Sequence, residues 1–386
     1  MELERYDVIV IGAGMGGAAL AAELSPHARV LVLEAEARPG VHATGRSAAL
    51  YAAAYGGPDV RALTRASRAF FDTPPEGFAD HPLLSPRGLV YVATAAQAPR
   101  LADFLAEIGD SVRTIPVADA IAQVPLLRPE YVAMAALAQT GSAMDIDVDA
   151  LHQGYLRLAK RRGATLLTDA PADHPRREDD LWVLRVGGRE VAAPKVVNAA
   201  GAWAERVGRA FGAAPLGLTP LKRTALLVDP PPGHDTDRWP GVFDTDEQFY
   251  VKPDAGKLLL SPADESPSEP CDAQPDEMDV AIAVDRVQQA LDLPVRRVTH
   301  SWAGLRTFAP DRQPVVGPDA AVPGLYWCAG QGGYGIQMAP ALARLAASLV
   351  LDRAVPDDIL AEGLVLANVL PHRLTGAACA PDKPLE

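Results

Sequence analysis

Tyr6-Asp7-Val8-Ile9-Val10-Ile11 ends in an unbroken apolar run, the pattern of a strand covered on both faces. The run breaks at Gly12, and from Ala18 to Leu24 apolar residues recur at helical spacing. A second run, Val30-Leu31-Val32-Leu33, closes on Glu34, so residues 1–50 carry one βαβ unit. The same pattern returns further along. Asp149 to Lys160 predicts an amphipathic helix with a strand, Ala164 to Leu167, behind it. Lys195 to Asn198 predicts a buried strand that breaks at Gly201 into another helix. Gly324 to Gly330 again reads as a strand ending in glycine, with a helix over Ile336 to Leu351. These blocks predict an α/β fold with a discontinuous Rossmann-like domain built from residues 1–50, 149–215 and 296–370.

The intervening stretches differ in character. Residues 51–148 hold short helical patterns and an apolar strand near Gly88 to Ala93, while 216–295 alternates strands with loops. Together they predict a second, substrate domain on a mixed, largely antiparallel sheet. Within it the Pro, Ser and acid cluster from Asp264 to Asp279 reads as a solvated loop. Residues 371–386 carry no periodicity and read as a tail. No repeat of solenoid period is present.

Composition narrows the function classes. A chain of 386 residues, 48% hydrophobic and 22% charged, has ample core for two domains. Its net charge of -13 repels phosphate backbones, which argues against a nucleic-acid partner. The three cysteines, Cys271, Cys328 and Cys379, are too far apart for a Cys-x-x-Cys site, and no metal site is expected. Met1 to Arg5 leads straight into the first strand, and no apolar run approaches membrane-spanning length, so a cytoplasmic protein without an integral membrane segment is expected.

The first turn, Gly12-Ala13-Gly14-Met15-Gly16-Gly17, reads G-x-G-x-x-G between a strand and a helix, the arrangement of a dinucleotide site. Gly12 permits the tight turn, Gly14 lets a pyrophosphate approach the backbone, and Gly17 lets helix and strand pack closely. The helix N-terminus supplies unpaired N–H groups to the phosphate. Glu34 stands about 20 residues downstream, where a ribose-binding acid belongs.

The combination resembles the D-amino acid oxidase superfamily of flavoproteins, which includes glycine oxidase, sarcosine oxidase and D-amino acid dehydrogenases. The resemblance rests on Ile11 to Gly14, Thr44 to Ala49, Val197 to Trp203, Trp302 to Arg306, Pro310-Asp311, Pro314 to Gly317 and Gly332 to Ile336. The runs His81 to Arg87 and Phe249 to Gly256 look most similar to D-arginine dehydrogenase. The resemblance implies a glutathione-reductase type of FAD-binding domain and FAD, bound without a covalent link, as the dinucleotide. It places the pyrophosphate on Gly12, Ala13, Gly14 and Gly17, and the ribose on Glu34 and Ala35. Thr44, Gly45, Arg46, Ser47 and Ala48 then run along the ribityl chain and flavin. The adenine lies near Pro171 or Ala172. Ala200, Gly201, Trp203, Gly304, Tyr334, Gly335, Ile336 and Gln337 complete the cofactor contacts, with the helix after Gly335 aiming its positive end at the flavin's pyrimidine side. His42 and Cys328 sit in no recognised attachment motif.

The same resemblance implies a substrate site. Oxidising an amino acid at a flavin needs a fixed carboxylate, a neutral amine, and the α-hydrogen pointed at flavin N5. Arg306 matches the carboxylate-binding arginine, whose planar fork grips two oxygens. Arg223, Tyr55 and Tyr250 match groups at the same end of the substrate, although Tyr55 equally suits a packed core. Two positions depart from D-arginine dehydrogenase. Leu50 stands where that enzyme has a histidine beside the amine, and Leu89, or the adjacent Gly88, where it has a glutamate for the basic side chain. The carbonyl of Gly333 is left as acceptor for the amine. A cationic side chain would be buried unpaired, at a cost of several kcal/mol. The expectation is therefore FAD-dependent oxidation of D-amino acids with uncharged, apolar side chains, with an unknown electron acceptor. An N-substituted glycine, proline or a 2-hydroxy acid is the alternative, and a flavoprotein scaffold the non-enzymatic one.

Overall fold

The computed structural model describes residues 3–139 and 141–375. Its centre is a six-stranded sheet in the order Thr165–Leu167, Val30–Leu33, Val8–Ile11, Lys195–Asn198, Leu325–Ala329 and Val315–Pro318. The first five strands are parallel, and the last pairs antiparallel with its neighbour. Val8–Ile11, Val30–Leu33 and Leu325–Ala329 are buried along their whole length, which is why they read as unbroken apolar runs. The helix Met15–Leu24 returns from the first strand and packs against the helices Val148–Arg161 and Ala339–Val350. Its alanines and glycines are almost all buried, so the stripe of a surface helix is missing. Gly17 explains the fit: a Cβ there would stand 1.9 Å from the Gly12 carbonyl oxygen.

A nine-stranded sheet lies beside this unit, antiparallel except where Gly241–Asp244 runs parallel to Leu89–Ala93. The fold is thus the α/β arrangement expected, a Rossmann-like unit with a mixed, largely antiparallel sheet. One boundary differs from the sequence division. Val298–Phe308 belongs to the large sheet rather than to the nucleotide side, because it pairs along its length with Thr219–Val228. Two small sheets were not foreseen. One joins Glu4–Arg5 to Asp173–Glu178, Leu181–Val186 and Arg189–Ala193, and the other joins Leu50–Ala52, Ala143–Ile146 and Leu84–Pro86.

Two expectations are refined. Residues 264–276 form a largely exposed loop, as expected, but one clasped to the fold at particular points. The Asp264 carboxylate accepts from Thr224 N and Oγ1 at 2.6 and 3.0 Å, Ala273 is buried, and Asp272 pairs with Arg46. The last major helix starts at Ala339 rather than Ile336, because residues 332–338 form consecutive turns. Of the tail, Pro371–Leu374 is a single 3-10 turn, whereas residues 376–386, with Cys379, lie outside the described residues. Among the described residues no helix is long and apolar enough to cross a membrane.

Candidate active site

The strands Val8–Ile11, Lys195–Asn198 and Leu325–Ala329 end side by side, and a groove opens beyond their carboxyl ends. It begins as a cavity of about 350 Å³ lined by Gly12, Gly14, Glu34, Ala35, Thr44, Pro171, Ala172, Ala200, Gly201 and Trp203. Gly12 turns at φ +100°, and a Cβ there would meet the Ala199 carbonyl oxygen at 2.5 Å. The N-cap of the helix that starts at Met15 is Gly14, which has no side chain to offer, and the first turn holds no acid. Glu34 holds the turn in shape: one oxygen accepts from Ala13 N at 2.9 Å, the other from Glu36 N at 3.0 Å. Buried Thr44 accepts from Met15 N at 3.0 Å. Arg46 ties the groove's rim together, donating to the carbonyls of Val41, Ala273 and Ala303 and to Asp272.

The groove continues into a cavity of about 150 Å³, which shares Gly14, Thr44, Arg46, Gly304 and Leu305 with the first and adds Ser47, Ala48, Gly335 and Ile336. Arg223, Tyr250, Arg306 and Gly333 line its far end. A third cavity of about 50 Å³ opens there, walled by Leu50, Tyr55, Leu89, Tyr91, Phe243 and Tyr250. Arg223 and Arg306 come together because their strands pair antiparallel with Arg223 opposite Gly304 and Leu221 opposite Arg306, which puts both guanidinium groups on one face. They differ in partners. Arg223 is buried and donates to Glu265 at 3.0 Å, leaving Nε without a partner, and Arg312 grips the same carboxylate through two bonds of 2.8 and 3.0 Å. Arg306 makes no ion pair among the described residues. Burial would lower its pKa, but the phenols of Tyr55 and Tyr250 and the Glu247 carboxylate outweigh that and hold it above its ordinary value. Gly333 gives it room, since a Cβ would lie 2.7 Å from Nη1.

The profile of one protein family, described as DAO, FAD dependent oxidoreductase, matches residues 7–349. The chain belongs to the DAO family of FAD-dependent oxidoreductases. Glycine oxidase of Geobacillus kaustophilus is 27% identical over 369 residues, covering 92% of this chain and 95% of that protein. The crystal structure of the same enzyme superposes with a TM-score of 0.79 over 94% of this chain and 99% of its own. The uncharacterized oxidoreductase YurR of Bacillus subtilis is 26% identical over 66% of each chain. L-proline dehydrogenase from P. horikoshii shares the fold, with a TM-score of 0.77 at 20% identity, over 92% of this chain and 96% of that one. These named relatives stand in place of the D-arginine dehydrogenase toward which two sequence runs point.

The groove fits FAD: a helix N-terminus with a glycine N-cap and no acid in its first turn for the pyrophosphate, an acid at the ribose position, and a continuous channel rich in glycines and small side chains. Most residues expected at the cofactor line that channel, but five do not. Ala13 spends its N–H on Glu34 and its carbonyl on His152 at 2.8 Å, so it holds the turn rather than facing the groove. Gly17 serves helix packing, and Gly45 closes a turn by donating from N to the Gly40 carbonyl at 2.7 Å. Tyr334 lines a separate outer cavity, and Gln337 lines the small third one, with Oε1 accepting from Ala52 N at 3.0 Å and Nε2 buried without a partner. Among the residues that escaped the sequence reading are Tyr91 and Phe243, which line the third cavity, and Glu265, which pairs with Arg223 behind the second. Tyr91 and Phe243 were hidden because apolar strand residues signal core, and Glu265 because an acid in a Pro and Ser cluster signals solvent. Cys328 lines the second cavity, where burial pushes its thiol up to about 12, so it is a neutral thiol near pH 7.

Proposed function

We propose that the chain oxidises the carbon–nitrogen bond of an α-amino acid with an uncharged, apolar side chain, in the D configuration by resemblance. The observation that carries this reading is Arg306, a guanidinium without an ion-pair partner at the end of the FAD groove, between Tyr55 and Tyr250. FAD, when bound, supplies the two-electron acceptor. The chain's own residues do the rest. Arg306 holds the substrate carboxylate through a bidentate pair, each charge-assisted bond contributing about 1.5–3 kcal/mol. Tyr250 and Tyr55 stand beside the same carboxylate, and the Gly333 carbonyl accepts from the amine. Leu50, Leu89, Tyr91 and Phe243 exclude water around the side chain, and none of the residues lining the third cavity is an acid. A cationic side chain confined there would have no counter-charge.

A second reading is favoured by the third cavity's small volume, about 50 Å³, and by the glycine oxidase and proline dehydrogenase among the similar proteins. In it the substrate is glycine, an N-substituted glycine or proline. Anaerobic bleaching of FAD absorbance by D-leucine, L-leucine, D-arginine, D-proline, sarcosine and a 2-hydroxy acid separates the two. Fastest bleaching by D-leucine supports the first reading, and fastest bleaching by sarcosine or proline the second. Faster D-arginine overturns the apolar pocket, and no bleaching by any of them overturns both.

A further inference from the structure

A cavity of about 390 Å³ lies outside the groove, sharing Tyr55, Tyr91 and Phe243 with the small substrate cavity as a common wall. Its lining combines charged side chains with five aromatic ones, Tyr55, Tyr91, Phe104, Phe243 and Tyr334, with the Tyr55 and Tyr334 rings 4.9 Å apart and those of Tyr91 and Phe104 5.4 Å apart. Its charged side chains neutralise one another or their neighbours, with one exception. Arg61 pairs with Glu107, Arg100 with Asp246, Arg312 with Glu265, and Asp311 with Arg373. The Asp244 carboxylate is saturated by Gln97, Tyr131 and the N–H groups of Asp246 and Gln248. The Glu247 carboxylate alone has no hydrogen-bond or ion-pair partner among the described residues.

The backbone holds Glu247 in place. It sits at φ +54°, a region that disfavours side chains, in a turn fixed by its own N–H donating to the Asp244 carbonyl at 3.0 Å. Its negative field reaches Tyr55, Tyr91 and Tyr334, adding to the burial that raises all three phenols. Each phenol therefore stays uncharged, and a neutral ring attracts a cation placed over its face.

We propose that this outer chamber binds a singly charged organic cation, an ammonium or guanidinium group, paired with Glu247 and surrounded by the aromatic rings. Aromatic walls attract a desolvated cation through the ring quadrupole, and one unpaired carboxylate sets the charge of the ligand at one. A free amine and the far end of an elongated substrate offer the same chemistry. The site goes beyond the reaction proposed above: it shares Tyr55, Tyr91 and Phe243 with that pocket as a common wall, but turns on Glu247, which lines only the outer chamber.

Isothermal titration calorimetry of the FAD-loaded protein with tetramethylammonium chloride, against sodium chloride at equal ionic strength, tests it. Saturable binding is expected, weakened tenfold or more by Glu247→Gln, an isosteric change at an exposed position. No saturable heat, or equal affinity in the variant, overturns the proposal. The source of the cation is read from kcat/KM for D-lysine relative to D-norleucine. A ratio that falls fivefold or more in E247Q assigns the cation to the substrate, and an unchanged ratio beside weakened tetramethylammonium binding assigns it to a free amine. If neither amino acid turns over, the reaction assigned above fails, while the calorimetry still decides the chamber.

Discussion

Arg306 and Arg223 show how neighbouring arginines on one sheet face take different roles. Both line the second cavity of the groove, yet Glu265 neutralises Arg223, while Arg306 makes no ion pair among the described residues. Burial would raise the pKa of Glu265, but the bonds from Arg312 and the charges of Arg312, Arg223 and Arg306 hold it below the usual carboxylate value. Glu265 therefore stays ionised wherever the protein is folded near neutral pH. Arg306→Lys keeps the charge and loses the fork, so the substrate carboxylate is held by a single donor. The expected loss is about 2–4 kcal/mol of transition-state stabilisation, or roughly 30- to 1000-fold in kcat/KM. Steady-state kinetics on the best substrate of the panel checks it, and a change under threefold removes Arg306 from the site. Arg306 was singled out in the sequence by its resemblance to a carboxylate-binding arginine, with apolar Trp302, Ala303, Gly304 and Leu305 beside it. The partner of Arg223 was not, because 42 residues separate the pair and only the strand pairing brings them together.

Among the elements, the glycine turn and the clasp line the same cavity of the groove. The turn was legible because backbone geometry demands glycine there: φ +100° at Gly12 and no room for a Cβ at Gly17. The clasp was illegible because Pro, Ser and acidic residues look alike whether they face solvent or a partner. Its anchors are contacts between distant segments, Arg46 with Asp272 and Thr224 with Asp264. Cys271 and Ala273 of the clasp line the cofactor cavity, so the clasp forms part of its wall. Asp272→Asn removes the charge partner of Arg46 while leaving the fold's cores untouched. FAD is expected to leave this variant several-fold faster, measured as recovery of flavin fluorescence on dilution, with little change in melting temperature of the cofactor-free protein. Unchanged release would reduce the clasp to a surface loop.

For the whole molecule, His152 links the helix Val148–Arg161 to the nucleotide turn and gives the fold a pH dependence. Its Nε2 lies 2.8 Å from the Ala13 carbonyl oxygen, and its ring fills the space beside Gly40. Burial lowers its pKa below the ordinary 6.5, more strongly than the bond to Ala13 and the acids Asp149 and Glu34 raise it. The unfolded chain therefore binds a proton at His152 before the folded chain does. Stability contributed by this group is complete above about pH 6.5 and declines as pH falls toward the depressed folded value. Thermal melts of the FAD-saturated protein between pH 5 and 8 are expected to show that decline, and His152→Gln, which keeps an N–H donor for Ala13, to flatten it. A decline of equal size in the variant would place the titrating group elsewhere.

The sequence by itself determined the nucleotide unit and the identity of its ligand class. Those depend on local requirements, buried strands that must be apolar and turns that only glycine can make, and local requirements leave marks at fixed spacing. It also pointed to Arg306, through its resemblance to a carboxylate-binding arginine in apolar surroundings. Only the tertiary structure decided that Val298–Phe308 crosses into the large sheet, that Glu265 neutralises Arg223, and that Tyr91, Phe243 and Glu247 frame two cavities with a shared wall. Each of these joins residues from distant segments. An apolar strand residue carries the same signal whether it faces a core or a cavity, and an acid the same signal whether it faces water or an arginine. Which it faces is set by packing and strand register, and neither is written in any one segment.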